Sequence, residues 1–384
     1  MKKEIEETIE LAKSWLLYSG IQNESNNPKI DGGFNSWYDP KKKIYPYIYS
    51  EITGYALTTL SYLYHLQPEE ILLKRSKKAA SWLMNQAAHQ SGAVKTRYYF
   101  GKTQDKADFS KQVGTLYTFD TGMVLFGICH LYQITKEKKY LDYAQKLTSF
   151  LLSMRKPGGS FYAFFDPKKK KKVDVPDKWS TQSGAFHAKL ALGLLALFGL
   201  TKDKTYKEAA EGICDWALSL QKSDGRFVTF KDTGDTHLHP HCYASEGLYY
   251  AGKFLGKDNY LQAAKKAAEW ALSGQMKNGG IPSMFYQKSG WGRWERTDEL
   301  AQVLRIGVLS KGATKEKLSK LVKRILTFQS KSKDKHLNGG MKYGYEEGKK
   351  LSHVNPHCTV FTLQALLFYQ DYLSGSFPSW EFII

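Results

Sequence analysis

The feature that most constrains this chain is an internal repeat. Four segments place a Gly near the start of an apolar helical pattern: SEITGYALTTLSYLY, TFDTGMVLFGICHLY, TQSGAFHAKLALGLL and YASEGLYYAGKFL. Their glycines, Gly54, Gly122, Gly184 and Gly247, lie 68, 62 and 63 residues apart. RTDELAQVLRIGVLS, from Arg296, and NPHCTVFTLQALLFY, from Asn355, continue the series to six. Self-similarity at a near-constant period means that each unit is one supersecondary motif, which buries its apolar face only by stacking on its neighbours.

Each of the first five units continues into a second helical pattern that ends in a turn: AASWLMNQ, LTSFLLSMRKPGG, CDWALSLQKSDG, AEWALSGQMKNGG and VKRILTFQSKSKDKHLNGG. The sixth partner is the N-terminal ELAKSWLL, which leads to DGGF at 31–34, so the two ends of the chain are expected to meet and close a ring. The first helix of each pair is apolar nearly all round and predicts an inner ring. The second carries one apolar stripe and a Lys/Glu face and predicts an outer ring. Aromatic segments between pairs, KTRYYF, SFYAFF, GRFVTF and GGMKYGY, predict short β-hairpins at the end where the inner helices begin. The expectation is an all-α fold, an (α/α)6 toroid of six helical hairpins with short β-hairpins in the loops at one end. A single domain is expected to span 1–384, with no Pro-, Gly- or Ser-rich linker dividing it.

Composition narrows the function classes. With 42% hydrophobic and 24% charged residues, the chain can bury a sizeable core. Glu4, Glu6, Glu7 and Glu10 interrupt any signal-like apolar stretch, and nowhere do 18 apolar residues run together, so a soluble, cytoplasmic protein is expected. Cys129, Cys214, Cys242 and Cys358 form no CxxC pair and read as free thiols. The net charge of +19 would attract an anionic ligand. Much of it sits in the turn-like tips YDPKKKIY and FDPKKKKKV, and no nucleic-acid-binding motif accompanies it.

Six inner-helix starts would bring unpaired N–H groups and partial positive charge to one mouth. The side chains there are rich in chemistry: Tyr49 and Glu51; Asp120; Gln182; His239, His241 and Glu246; Arg296 and Asp298; His353 and His357. Tyr99 and Tyr162 come from the neighbouring aromatic segments. Asp120 or Asp298 taken alone reads as a helix N-cap before it reads as a catalyst. His241 and His357 recur in matching PHC tripeptides of the fourth and sixth repeats and are read as facing the cavity. Although HLHPHC contains zinc-type ligands, adjacent His and Cys on a helix ligate one metal poorly, and no metal or cofactor is expected.

Taken together, these segments make the chain similar to the six-hairpin toroid sugar enzymes. These include glycoside hydrolases, such as those acting on unsaturated uronides, and sugar epimerases of the N-acylglucosamine 2-epimerase type. Resemblance to the hydrolases, through YSEITGY and TFDTG, implies that Glu51 and Asp120 flank a glycosidic bond as acid and base or nucleophile. Resemblance to the epimerases implies a proton-transferring pair, His241 and His357, with Glu246 near them. The substrate expected is a carbohydrate, with 25 Tyr and 9 Trp available for stacking and the basic balance favouring an acidic sugar or uronic-acid-containing glycan. Cleavage is the first reading, epimerisation or isomerisation the second, and a non-catalytic glycan-binding toroid the third. The remaining mouth residues, Tyr49, Gln182, His239, Glu246, Arg296, Asp298, His353, Tyr99 and Tyr162, are expected to bind substrate.

Overall fold

The computed structural model describes residues 1–99, 114–346 and 349–384, which leaves Phe100 of the KTRYYF segment outside. Its inner helices are α2 (Ser50–Leu66), α4 (Thr118–Thr135), α6 (Leu190–Thr201), α8 (Leu238–Leu255), α10 (Thr297–Leu309) and α12 (Pro356–Ser374). The outer ones are α1 (Lys2–Tyr18), α3 (Glu70–Trp82), α5 (Lys138–Ser153), α7 (Lys204–Ser219), α9 (Asp258–Ser273) and α11 (Lys315–Leu326). Each inner helix packs on the next, and α12 packs back on α2, so the inner ring is closed. α1 lies against α12 and α11. The ring is the (α/α)6 toroid that the repeat predicts.

Burial follows the two hydrophobic patterns. All of α10 from Thr297 to Leu309 is buried, whereas α11 buries Leu318, Leu321, Val322 and Ile325, one stripe at helical spacing. The glycine turns before the inner helices register the two layers. Gly32, Gly92, Gly159, Gly225, Gly279 and Gly339 all have positive φ. A Cβ on each would lie 2.2–2.4 Å from a carbonyl oxygen: Lys78, Lys146, Gly212, Lys266, Lys320 and Leu11, in that order. Only glycine satisfies both demands, and the sixth contact, back onto α1, closes the outer ring. Gln22, Gln221, Gln275 and Gln329 clamp four of these turns, each amide donating to the glycine carbonyl and to a carbonyl of the facing outer helix.

Short antiparallel strands rim the end where the inner helices begin. β1 (Tyr47–Tyr49) pairs with β2 (Arg97–Tyr99). β3 (Leu116–Tyr117), β4 (Phe164–Asp166) and β5 (Lys171–Val173) form a second sheet. β6 (Thr236–His237), β7 (Met284–Tyr286) and β8 (Gly290–Trp291) form a third, and β9 (Glu295–Arg296), β10 (Lys342–Glu346) and β11 (Lys349–Val354) a fourth. Every inner helix but α6 is therefore entered from a strand. The third repeat departs from the pattern: Gly184 is extended (φ −151°, ψ 161°), residues 185–189 make a 3-10 turn, and a turn at Trp179–Thr181 occupies the rim instead. GRFVTF makes isolated bridges rather than a strand of its own. Among the described residues, no helix is long and apolar enough to cross a membrane.

Candidate active site

Where the inner helices begin, a cavity of about 390 Å3 opens. Its walls include Tyr49 and Glu51 from the start of α2, Phe119 and Asp120 from α4, His239 from α8, Arg296 at the entry to α10, and Asn355 and His357 at the start of α12. Arg97 of β2 and the loop residues Asp177, Lys178 and Trp179 complete it. Glu51 and Asp120 are not used as helix caps, because Tyr49 and Tyr117 hold the cap positions without a side-chain bond. Both carboxyls stay available to the cavity.

Their environments push them apart. Burial opposes the charge on Glu51, but His357, Tyr49 and Lys189 outweigh it and hold the carboxyl below its usual range. Nε2 of His357 stands 3.5 Å from Glu51 Oε1, an ion-pair distance rather than a close hydrogen bond. Asp120 goes the other way: burial first, and the negative charge of Glu51 second, raise it well above the carboxylate range, against the pull of Arg97 and Thr96. Its Oδ2 is buried with no hydrogen-bond partner among the described residues. The two carboxyls are thus shifted in opposite directions, Glu51 down and Asp120 up.

The facing wall is imidazole. His239 and His357 meet edge to face with ring centroids 6.4 Å apart. Burial, helped by Arg296, His237 and His357, keeps His239 neutral. Arg296, at the cavity wall, is paired with Asp298, whose oxygens accept from its Nε and Nη2 at 3.1 and 2.5 Å. Below, Lys189 lies fully buried under Tyr243, Nζ 4.3 Å from the ring centroid, and 2.6 Å from Glu246 Oε2. Burial pushes its ammonium down to about 8 in spite of that carboxylate.

Several sequence expectations require correction. Glu51, Asp120 and His357 share the cavity, but His241 does not. Its Nδ1 accepts the Phe227 N–H at 3.2 Å, its Nε2 donates to the Ala267 carbonyl of α9 at 3.0 Å, and its ring packs on Trp270. Two residues turn a helix by about 200°, so of His239 and His241 only one can face inward. It is His239. Glu246, seven residues on, points inward roughly 10 Å deeper and is sealed from the cavity by ion pairs. Asp298 lies behind Arg296 with no exposure. The Gln182 amide donates to the Lys178 and Thr229 carbonyls beside a separate crevice. His353 stacks on Tyr343, Tyr99 packs on Tyr47, and Tyr162 lies under Lys156, all three outside the lining. Tyr49, His239 and Arg296 line the cavity as expected.

Arg97, Lys178, Trp179, Lys189 and Arg305 were missed. For Lys189 and Arg305 a signal existed: a cation inside an otherwise apolar helix, AFHAKLAL or AQVLRIGVL, is almost never buried unpaired. Among the described residues, no group of three His, Cys, Asp or Glu side chains is arranged to hold a metal ion.

A family model for glycosyl hydrolase family 47 matches residues 50–306, from the start of α2 into α10. The chain belongs to glycosyl hydrolase family 47. It is a carbohydrate-active enzyme of the toroid class. No curated protein matches it. Among solved structures it is similar to the cellobiose 2-epimerase from Bacillus thermoamylovorans B4167, with TM-score 0.75 and 15% identity over 96% of this chain and 100% of that one. It is also similar to a D-mannose isomerase (0.74, 14%, 98% of each chain). The unsaturated glucuronyl hydrolase from Bacillus sp. GL1 follows (0.67, 13%, 97% and 98%). At these identities the likeness is one of fold.

Proposed function

We propose that this family member hydrolyses a glycosidic bond in the mouth cavity, with Asp120 as the general acid and Glu51 as its carboxylate partner. One observation carries the reading: two buried carboxyls on one cavity are driven in opposite directions, Asp120 towards the protonated form and Glu51 towards the anion. A glycosidase requires that pair, one group to protonate the departing oxygen and one to activate water or attack the anomeric carbon. The whole ring, 1–384, is the unit that acts, since the lining draws on five of its six inner-helix starts.

An acidic sugar fits this cavity best. Arg97 and Lys178 are in the lining, and the lysine-rich tips of YDPKKKIY and FDPKKKKKV lie in the loops of the same rim. Four buried free thiols suit the cytoplasm. The test is turnover of uronic-acid glycosides by wild type and Asp120→Asn. The reading predicts release of reducing sugar that the variant loses; equal release by both sinks it.

A second reading is favoured by a separate observation, His239 and His357 side by side in the cavity lining, their rings edge to face. Two imidazoles on one wall could remove a proton beside a sugar carbonyl and return it, the chemistry of an epimerase or isomerase. Solvent deuterium incorporated into unhydrolysed sugar would establish this reading over the first.

A further inference from the structure

An unbroken chain of hydrogen-bonded, buried side chains runs from the mouth down the axis of the ring, in which Arg305 Nε has no partner among the described residues. Glu246, Gln302, Arg305 and Gln364 are all without exposure, and His239 is 3% exposed. At the bottom, Gln364 Nε2 donates to the Phe382 carbonyl at 2.7 Å, so its Oε1 is the acceptor for Ile384 N–H at 3.0 Å and Arg305 Nη1 at 3.4 Å. Arg305 Nη2 donates to Glu246 Oε1 at 2.5 Å, and Lys189 Nζ to Oε2 at 2.6 Å. A carboxylate between two cations only accepts. The Gln302 group facing Oε2 at 3.2 Å is accordingly its NH2, which turns Gln302 Oε1 towards His239 Nδ1 at 2.6 Å. An amide oxygen accepts, so the proton of His239 must sit on Nδ1.

We infer that Gln302 is a positioning residue that fixes His239 as the Nδ1–H tautomer, leaving the Nε2 lone pair towards the cavity, and that Glu246, Arg305 and Gln364 hold Gln302 in the orientation this requires. The alternative tautomer would set the Nδ1 lone pair against the Gln302 oxygen in a dry site, where two facing acceptors are costly. Gln302 cannot rotate its amide to relieve this, because its oxygen would then meet Glu246. The remaining charged or titratable groups around His239, among the described residues, are His237, Arg296, His357, Tyr243, whose ring centroid lies 4.3 Å from that of His239, and Asp298, whose Oδ2 lies 3.6 Å from Nδ1. With Nδ1 occupied, a ligand hydroxyl is held by a neutral acceptor. The role in turnover rests on the mouth's being the reacting cavity; the tautomer does not.

The test is nitrogen-15 NMR of histidine-labelled full-length protein at pH 7, with the His239 signals assigned from His239→Gln. Wild type should show a protonated Nδ1 and an unprotonated Nε2. Gln302→Leu should mix the tautomers and lower kcat by about 10-fold or more, with KM moved less than kcat. An Nε2–H or doubly protonated His239 in wild type overturns the inference, whether or not any variant folds. An unchanged tautomer in folded Gln302→Leu does so too. If the tautomer behaves as described while Asp120→Asn keeps full turnover, the hydrolytic reading fails and the inference stands.

Discussion

The two sides of the mouth manage buried polarity in opposite ways. On the side of α2 and α4, Glu51 and Asp120 are left incompletely paired, one 3.5 Å from His357 and the other with an oxygen that has no hydrogen-bond partner among the described residues. On the side of α8 and α10, polar groups are tightly bonded: His239 to Gln302, Gln302 to Glu246, and Glu246 to two cations. An unsatisfied, perturbed carboxyl costs stability and is poised to exchange a proton. A bonded network holds geometry. On the proposed reading, the first wall transfers the proton and the second orients.

The sharpest way to break this comparison is to neutralise one side at a time. Asp120→Asn should lower kcat on glycosides with poor leaving groups by about 100-fold or more, and by much less on activated aryl glycosides, which need no protonation. His239→Gln should cost hydrolysis less than Asp120→Asn does. A reversed order, measured by kcat on the same substrates, would move the chemistry to the histidine wall.

The pH profile of kcat/KM comes next. Glu51 must be ionised and is held low, so activity should rise through a midpoint below the usual carboxylate range. Asp120 must be protonated and is held high, so activity should fall through a midpoint above that range. Glu51→Gln removes the negative charge that helps raise Asp120 and should shift Asp120's titration downward. Two midpoints both in the ordinary carboxylate range would contradict the assignment.

His241→Phe sharpens the comparison from outside the cavity. Losing two bonds in a dry site should cost on the order of 2–4 kcal/mol of stability, read by denaturant unfolding, while kcat changes by less than about twofold. A catalytic defect without a stability defect would restore His241 to the site.

The smallest effect concerns stability. A carboxyl whose folded pKa is raised contributes stability below its unfolded pKa and loses it as pH rises. At neutral pH Asp120 is therefore a net cost, and Asp120→Asn should raise Tm by about 2 °C. Glu51, held low, contributes above its unfolded pKa and loses that contribution as pH falls, so Glu51→Gln should lower Tm at neutral pH. Both differences should vanish in acid, a check made by calorimetry at two pH values.

The ring was legible because it rests on local, repeated rules: apolar period, turn glycines and an N-terminal helix that supplies the missing partner. The site was legible only where a residue's helix start was correctly placed. Glu51, Asp120 and His357 lie in first turns, and register carried them to the mouth. His239 and His241 were exchanged because the PHC match is a likeness of letters, whereas the facing side is set by a rotation of about 200° between them. Gln182 failed with the third repeat, whose helix begins late, after Gly184. Arg97 and Trp179 arrive from a strand and a loop that no helical period governs.

The central claim, that Asp120 is held well above the carboxylate range beside a Glu51 held below it, is tested most directly by carbon-13 NMR of aspartate carboxyls across a pH titration, with Asp120 identified by the signal absent in Asp120→Asn. The account predicts one aspartate titrating well above the others, with a midpoint that falls in Glu51→Gln. Every aspartate titrating in the ordinary carboxylate range would contradict it.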